Sequence, residues 1–491
     1  LTRAMMAFFG PVLGVFARIV IAFSVMFLMP LAWAWQLDAP ALRDVWLRSL
    51  GLTLAVGLLL MLLTKNHQRE LAVRDGFLLV NLVWLVLPAL SAVPLMLAID
   101  GLSWTDAYFE MMSGFTVTGA TVLSGLDKLP VSVNIWRCFV QLIGGLGIVL
   151  LVVAVLPMLG LGGVQLYKAE TPGPMKDARL TPRVAETARG LWVIYFAFSA
   201  ACVLAYRWAG MSWADAFMHM CSTMGLGGFS SHDASFGYWN SPLIESVAIV
   251  FMTLAGISFA RYFIVWRARS LRSLWRDLEV RAYLLVLLLA VMVVALVLAV
   301  NGSQATGLQD LRAAAFHVVS LATTTGYASQ DFTLWPVFAP VAMMSLGCFV
   351  SCAGSTGGGI KMVRMILLFK RAHRELVRAV HPSVVNPVTL GRTVIQPQVM
   401  ASVVAFMLIY VASTIGLTML LLLSGLDIVS AFSAVVATVN NIGLAMGVVG
   451  PAANFGVLTD FQTWVCTVAM WMGRLELLAV MVLFVPQFWR R

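Results

Sequence analysis

Charge is what this 491-residue sequence lacks most: 11% of its residues are Asp, Glu, Lys or Arg, against 61% hydrophobic. A water-soluble domain carries roughly a quarter charged residues and about half apolar ones. A chain with so little polar surface could not cover a water-facing globule. That excludes soluble enzymes, disordered scaffolds and nucleic-acid-binding domains as main readings. Cysteine is also scarce: Cys138, Cys202, Cys221, Cys348, Cys352 and Cys466 form no CxxC pair and no Cys/His cluster. Buried, reduced, structural thiols fit this better than a metal site or a disulfide framework. No nucleophile–base set occurs, and no enzyme and no bound cofactor are expected.

Long apolar runs are what the chain has instead. About 20 apolar residues cross a bilayer's hydrocarbon core. Ten candidate spans lie at Ile19–Leu37, Val45–Leu63, Gly76–Ile99 and near 131–159, 190–209, 240–263, 280–300, 336–370, 398–424 and 460–488. An even number places both termini on one side. The connections after spans two, four, six and eight hold most of the Lys and Arg, among them Lys65, Arg69, Lys168, Arg183, Arg267, Arg272, Lys370 and Arg378. Lys and Arg resist translocation, so both termini are expected in the cytoplasm. The opposite connections are acidic (Asp100, Asp106, Asp127, Asp215, Asp233, Asp310, Asp331, Asp427, Asp460). Either a cation-gathering vestibule or plain loops poor in Lys and Arg would read this way.

Those outer connections repeat. Gly101-Leu-Ser-Trp-Thr-Asp-Ala leads through Phe109 to Thr116-Val-Thr-Gly-Ala120, and Gly210-Met-Ser-Trp-Ala-Asp-Ala leads through Phe217 to Gly225-Leu-Gly-Gly-Phe229. Gly307-Leu308 leads to Thr323-Thr-Thr-Gly-Tyr327, and Gly425-Leu426 to Asn440-Asn-Ile-Gly-Leu444. With Gly227 as the second closing glycine, the glycine-to-glycine separations are 18, 17, 19 and 18 residues. Each unit reads as helix, half-helix, glycine turn, helix. About ten helical residues rise ~15 Å, half a bilayer, so the segment enters and returns on the same side. Irregular backbone at that depth must be buried in protein or line a wet cavity. Four such turns around one axis would aim the negative ends of four half-helices at the centre, where a cation is favoured. Backbone carbonyls in such a ring can replace an ion's hydration shell. The filter residues this assigns are Val117, Thr118 and Gly119; Gly225, Leu226 and Gly227; Thr324, Thr325 and Gly326; and Asn441, Ile442 and Gly443. His219 and His317 are expected to pack behind the filter. The fold class is therefore an all-α polytopic membrane protein with four tandem helix–pore-loop–helix repeats around a pseudo-four-fold pore, plus two extra N-terminal transmembrane helices. The expected units are 1–75, 76–189, 190–278, 279–397 and 398–491.

The turns, together with Gln141-Leu-Ile-Gly-Gly-Leu-Gly-Ile148, Glu170-Thr-Pro-Gly-Pro174, Leu180-Thr-Pro-Arg183, Gly227-Gly-Phe-Ser-Ser-His-Asp233, Gly354-Ser-Thr-Gly-Gly-Gly-Ile-Lys361 and Met472-Gly-Arg-Leu-Glu476, resemble the TrkH/KtrB superfamily of bacterial cation-uptake proteins, closest to the TrkH type. The resemblance implies a potassium-translocating pore subunit in the bacterial inner membrane. It also implies a homodimer regulated by a cytoplasmic nucleotide-binding subunit of the TrkA type, with K+ as the transported ion. A symporter coupled to sodium or protons is the alternative, and a structural or receptor protein a third reading. Glycine runs weaken a helix by ~1 kcal/mol each, so span eight should unwind at Gly354, Ser355, Thr356, Gly357, Gly358 and Gly359, ahead of Lys361. By resemblance that stretch is an intramembrane gate. Arg474 lies mid-span, where a charge costs at least ~2.5–3.5 kcal/mol, so it should face the interior. It is expected to hold the glycine loop rather than pair with Glu476.

Overall fold

The computed structural model describes residues 2–66, 69, 71–150, 180–301, 307–391 and 393–490. These residues are helical apart from loops and one antiparallel pair of two-residue strands, Thr389–Leu390 with Thr393–Val394. Among the described residues seven helices are long and apolar enough to cross a membrane: Phe9–Leu37, Pro40–Thr64, Arg74–Ala98, Val131–Ile148, Thr187–Trp208, Leu278–Val300 and Pro397–Leu423. The first begins well before the expected Ile19, because Arg18 sits within the helix without ending it.

Two of the ten expected spans are bent where a continuous helix was expected, and span eight is interrupted as its glycine run implies. The stretch 240–263 is Pro242–Ala255 followed by Phe259–Ala268, bent by 83°, and 460–488 is Asp460–Arg474 followed by Leu478–Phe484, bent by 106°. The stretch 336–370 is a short helix, Phe338–Gly347, a loop to Lys361, and a helix from Met362 to Val380. A break at membrane depth frees backbone groups that must find partners. Here the breaks serve one another: Cys352 N–H donates to Gly256 O at 3.1 Å, and Phe259 N–H to Gly354 O at 3.1 Å. At the last break Glu476 and Leu477 take left-handed φ values of 54° and 49°.

Between spans stand four half-helices: Trp104–Phe115, Trp213–Gly225, Gly307–Ala322 and Ile428–Val439, of 12, 13, 16 and 12 residues. They are somewhat longer than the expected ten. Ser103, Ser212 and Asp427 cap three of them, each accepting the backbone N–H three residues on. Such caps satisfy N–H groups that a helix start leaves open. The same bonds use Asp106 and Asp215, whose carboxylates accept the Ser103 and Ser212 hydroxyls. Several outer acids thus have a local structural task.

The N-terminal helix pair packs on the first repeat through Phe16, Phe23, Phe27, Trp46 and Trp136. Phe27 stacks on Trp136 at 4.5 Å, and Asp38 accepts the Val131 and Ser132 N–H groups that open the next helix.

Candidate functional site: a ring of four turns

All four half-helices end in the same way. Thr118, Gly227, Thr325 and Ile442 each donate a backbone N–H to the carbonyl five residues back (Ser113, Ser222, Ser320, Ala437) at 2.7–2.8 Å. The residue before each of them is left-handed without being glycine: Val117, Leu226, Thr324 and Asn441 have φ of 56°, 61°, 62° and 55°. Two positions on, Gly119, Gly228, Gly326 and Gly443 have φ of 83°, 78°, 82° and 81°. This is the helix-ending arrangement that normally recruits glycine at its left-handed position. Non-glycine residues there cost ~1–3 kcal/mol each and persist only where the surroundings over-determine them.

The surroundings are the neighbouring turns. A Cβ built on Gly119 would fall 1.9 Å from Gly227 O; on Gly228, 2.1 Å from Thr325 O; on Gly326, 2.0 Å from Ile442 O; and on Gly443, 2.2 Å from Thr118 O. Each repeat's glycine therefore abuts a carbonyl of the next, and the fourth returns to the first. The ring closes, with no space for a side chain at any of the four contacts.

This order corrects one assignment. Gly228, not Gly227, is the counterpart of Gly119, Gly326 and Gly443, and Gly227 is the counterpart of Thr118, Thr325 and Ile442. Gly225 accordingly lies one place earlier than expected, as the last helical residue. Counting to Gly228 makes the second separation 18 residues. The sequence misleads there because two adjacent glycines both suit a turn, and backbone angles choose between them.

Behind the ring, one position of each half-helix holds the chain that leaves the turn. Glu110 accepts Val122 N–H at 3.0 Å, His317 Nε2 accepts Ser329 N–H at 3.3 Å, and His219 Nε2 meets Ser230 Oγ at 3.0 Å. In the fourth repeat Ser433 Oγ accepts Met446 N–H at 3.0 Å. Both histidines are fully buried, and each bonds the carbonyl four residues back through Nδ1.

The loop from Cys348 to Lys361 lies against the second, third and fourth turns and the helix that follows the first. Thr356 Oγ1 donates to Met224 O at 3.1 Å, and Gly358 N–H to Thr324 Oγ1 at 2.8 Å. A Cβ on Gly358 would meet Asn440 O at 2.1 Å, and the Thr356 methyl lies 3.5 Å from the position of a Cβ on Gly145. Ser355 Oγ donates to Cys352 O, Lys361 Nζ to Gly357 O, and Glu279 accepts Ala353 and Val363 N–H at 2.7 and 3.2 Å. Arg474, 3% exposed, donates to Thr356 O at 2.9 Å and Gly144 O at 3.3 Å. Glu476 pairs instead with Arg364, whose guanidinium lies 4.2 Å over the Phe406 ring. The helix ends at Arg474, and Glu476 follows it with a φ of 54°.

The sequence profile of the TrkH cation transport proteins matches residues 43–491. The Trk system potassium uptake protein TrkH of Halomonas elongata is 42% identical over 456 residues, 93% of this chain and 94% of that one. Its namesake in Escherichia coli K12 is 42% identical over 438 residues, 89% and 90% of the two chains. The crystal structure of the potassium transporter TrkH from Vibrio parahaemolyticus superposes with a TM-score of 0.91 at 36% identity, covering 98% of this chain and 100% of that one. The chain belongs to the TrkH family. It is a multi-pass membrane protein of a transport family, not an enzyme.

Two features of this TrkH-family chain escaped the sequence reading. Glu110 and Arg137 form an ion pair at 2.7 Å with both side chains fully buried. Arg137 also donates to Asn134 Oδ1 at 2.9 Å, to Ser230 O at 3.3 Å and to Thr121 Oγ1 at 3.2 Å, and lies 4.6 Å over Phe229. It thereby joins the first and second turns. The available signal was Arg137 itself, a charge inside an apolar span just as Arg474 is.

The second feature is on the outer side. The His232 imidazole bonds Asp127 through Nδ1, lies 3.4 Å from Asp215 Oδ1 through Nε2, and stacks on Tyr238 at 3.6 Å. Burial opposes a charge on His232, but Asp215 and Asp127 outweigh it and hold its pKa above the usual histidine value. Partial burial works against the Asp127 carboxylate, and His232 more than offsets it, holding that pKa below the usual value. Among the described residues no group of three or more His, Cys, Asp or Glu could hold a metal ion. The stretch Glu170–Pro174 lies outside the described residues.

Proposed function

We propose that this chain is the potassium-translocating pore subunit of a Trk-type uptake system, conducting K+ and Rb+, and Na+ less well, inward. The observation that carries the reading is the cyclic contact of four turns, each glycine against the next repeat's carbonyl. A spherical monovalent cation is matched by oxygens arranged alike around an axis, and backbone carbonyls can replace its water. Half-helix C-termini contribute partial negative charge at the same place. One charge moving through 100 mV gains ~2.3 kcal/mol, enough to drive accumulation.

In this reading Val117–Gly119, Leu226–Gly228, Thr324–Gly326 and Asn441–Gly443 form the filter. The loop Gly354–Gly359 with Lys361 closes the path beneath it, and Arg474 latches the loop through Thr356 O. The protein works as a homodimer in the bacterial inner membrane with both termini cytoplasmic, under a nucleotide-binding subunit of the TrkA type. Its units are the N-terminal pair, 1–75, and repeats 76–189, 190–278, 279–397 and 398–491. The relatives' name as potassium uptake proteins and the 0.91 superposition support this. Uptake of Rb+ and Na+ into proteoliposomes of the purified chain tests it. Rb+ uptake above empty vesicles and above Na+ is expected; no Rb+ uptake from folded protein would overturn it.

A further inference from the structure

The ring is regular in its backbone but not in what its carbonyls touch. Thr118 O, Thr325 O and Ile442 O each meet the preceding repeat's glycine, and among the described residues no N–H or O–H group donates to them. Gly227 O is different. Gln141, on the helix Val131–Leu150 of the first repeat and fully buried, donates its Nε2–H to Gly227 O at 2.7 Å.

The amide's orientation follows from its partners. Its Oε1 accepts the Ser222 hydroxyl at 2.6 Å and the Phe229 backbone N–H at 3.3 Å, a group that can only donate. The nitrogen must therefore face the Gly227 carbonyl, which can only accept. Glycine at 227 is required for this contact, since a Cβ there would fall 2.4 Å from Gln141 Cδ. That explains a Gly-Gly pair where the other repeats carry Thr or Ile before the ring glycine. The side chain of Gln141 occupies the place of the missing one.

We infer that Gln141 is a positioning residue that sets the ion preference of the ring, by holding the Gly227 carbonyl with an amide N–H and so making the second repeat the weak-field ligand of four. A carbonyl has two lone pairs, and an N–H at 2.7 Å takes one and puts its positive end beside the oxygen. The field left for a cation falls. A weaker field releases the strongly hydrated Na+ less readily from water than K+ or Rb+, and number and field strength of ligands are levers of selectivity. The same bond fixes how far that oxygen can follow a smaller ion inward. Both effects act against Na+. The inference rests on the pore reading proposed above.

The test is competitive 86Rb+ and 22Na+ uptake by proteoliposomes of the full chain, normalised to protein that elutes as a folded species. Gln141→Leu keeps the bulk and removes the donor, and Ser222→Ala frees Gln141 to turn. Both are expected to lower the Rb+/Na+ uptake ratio about three- to tenfold, the worth of one such hydrogen bond. Gln141→Glu regains a donor while its carboxyl is protonated, and is expected to restore the ratio toward the native value at acidic pH. Asn81→Leu removes another buried amide, one that bonds Phe77 O and Ala479 O away from the ring. It is expected to lower the amount of folded protein without moving the ratio. A native ratio in both Gln141→Leu and Ser222→Ala, or an equal fall in Asn81→Leu, overturns the assignment. Absence of any Rb+ uptake by the native chain would instead overturn the pore reading, and the two failures are thus separable.

Discussion

The outer and inner halves of the four repeats obey different rules. On the outer side three of the half-helices are capped by a Ser or Asp, and all four end in the same hydrogen bond, the same left-handed residue and the same glycine contact. On the inner side the second helices share little. The first is continuous from Val131 to Leu150, the second bends by 83°, the third gives way to the loop before Lys361, and the fourth bends by 106° at Arg474. An ion on an axis needs like ligands from every side, so the ring must be regular. In the proposed reading, the loop that closes the path comes from one repeat only, and the second repeat's helix breaks beside it, with Phe259 N–H donating to Gly354 O.

That contrast can be broken most severely at the ring. Gly326→Ala would place a methyl 2.0 Å from Ile442 O at a φ of 82°, against backbone that has no side chain to rotate away. The expected cost exceeds about 4 kcal/mol, with transport lost. Gly307→Ala, at the opening of the same half-helix, meets nothing within 4 Å among the described residues and should leave uptake and thermal stability close to native. Equal effects of the two would remove the argument for a tight ring.

A smaller and opposite effect is expected on the inner side. Arg474→Ala deletes two hydrogen bonds from a charged donor to Thr356 O and Gly144 O, each worth about 1.5–3 kcal/mol. Ion flux should rise at least about tenfold while the Rb+/Na+ ratio stays native, because the ring is untouched. A folded variant with native flux would refute the latch.

The smallest effect belongs to the outer loops. His232 has its pKa raised by Asp215 and Asp127, so its contribution to stability is complete below the unfolded value of about 6.5 and is lost as pH rises through the higher folded value. Asp127, with a lowered pKa, contributes above about 3.9 and loses that contribution only as pH falls through its folded value. The outer clamp is therefore strongest between about pH 4 and 6.5. His232→Gln should flatten the alkaline side of the melting profile in detergent, by no more than about 1 kcal/mol for so exposed a pair. An unchanged profile would show that the pair adds nothing.

Much of this was legible in the residues. Apolar run length located the helices, and four glycine-closed turns at near-equal spacing announced the ring, since turn chemistry is local. The glycine loop declared itself by composition. The register of the second turn did not, because Gly227 and Gly228 are alike until a neighbouring carbonyl selects one. Nor did the bends after Ala255 and Arg474: at the first the Cys352–Gly354 segment takes up the freed backbone groups, and at the second Glu476 and Leu477 turn the chain with positive φ values and local bonds.

The sequence by itself determined that this chain lives in a bilayer, that it carries four re-entrant turns, and that one helix must break at Gly354–Gly359. These follow from hydropathy and backbone freedom, properties each segment has alone. Only the tertiary structure decided that Gly228 closes the ring, that Glu110 meets Arg137, that Arg474 reaches Thr356 and that Gln141 holds Gly227. Those contacts join residues 27, 118 and 86 positions apart in the three bonded pairs. A buried charge or amide takes whichever partner the packed chain brings within reach, and no local pattern encodes which one that is.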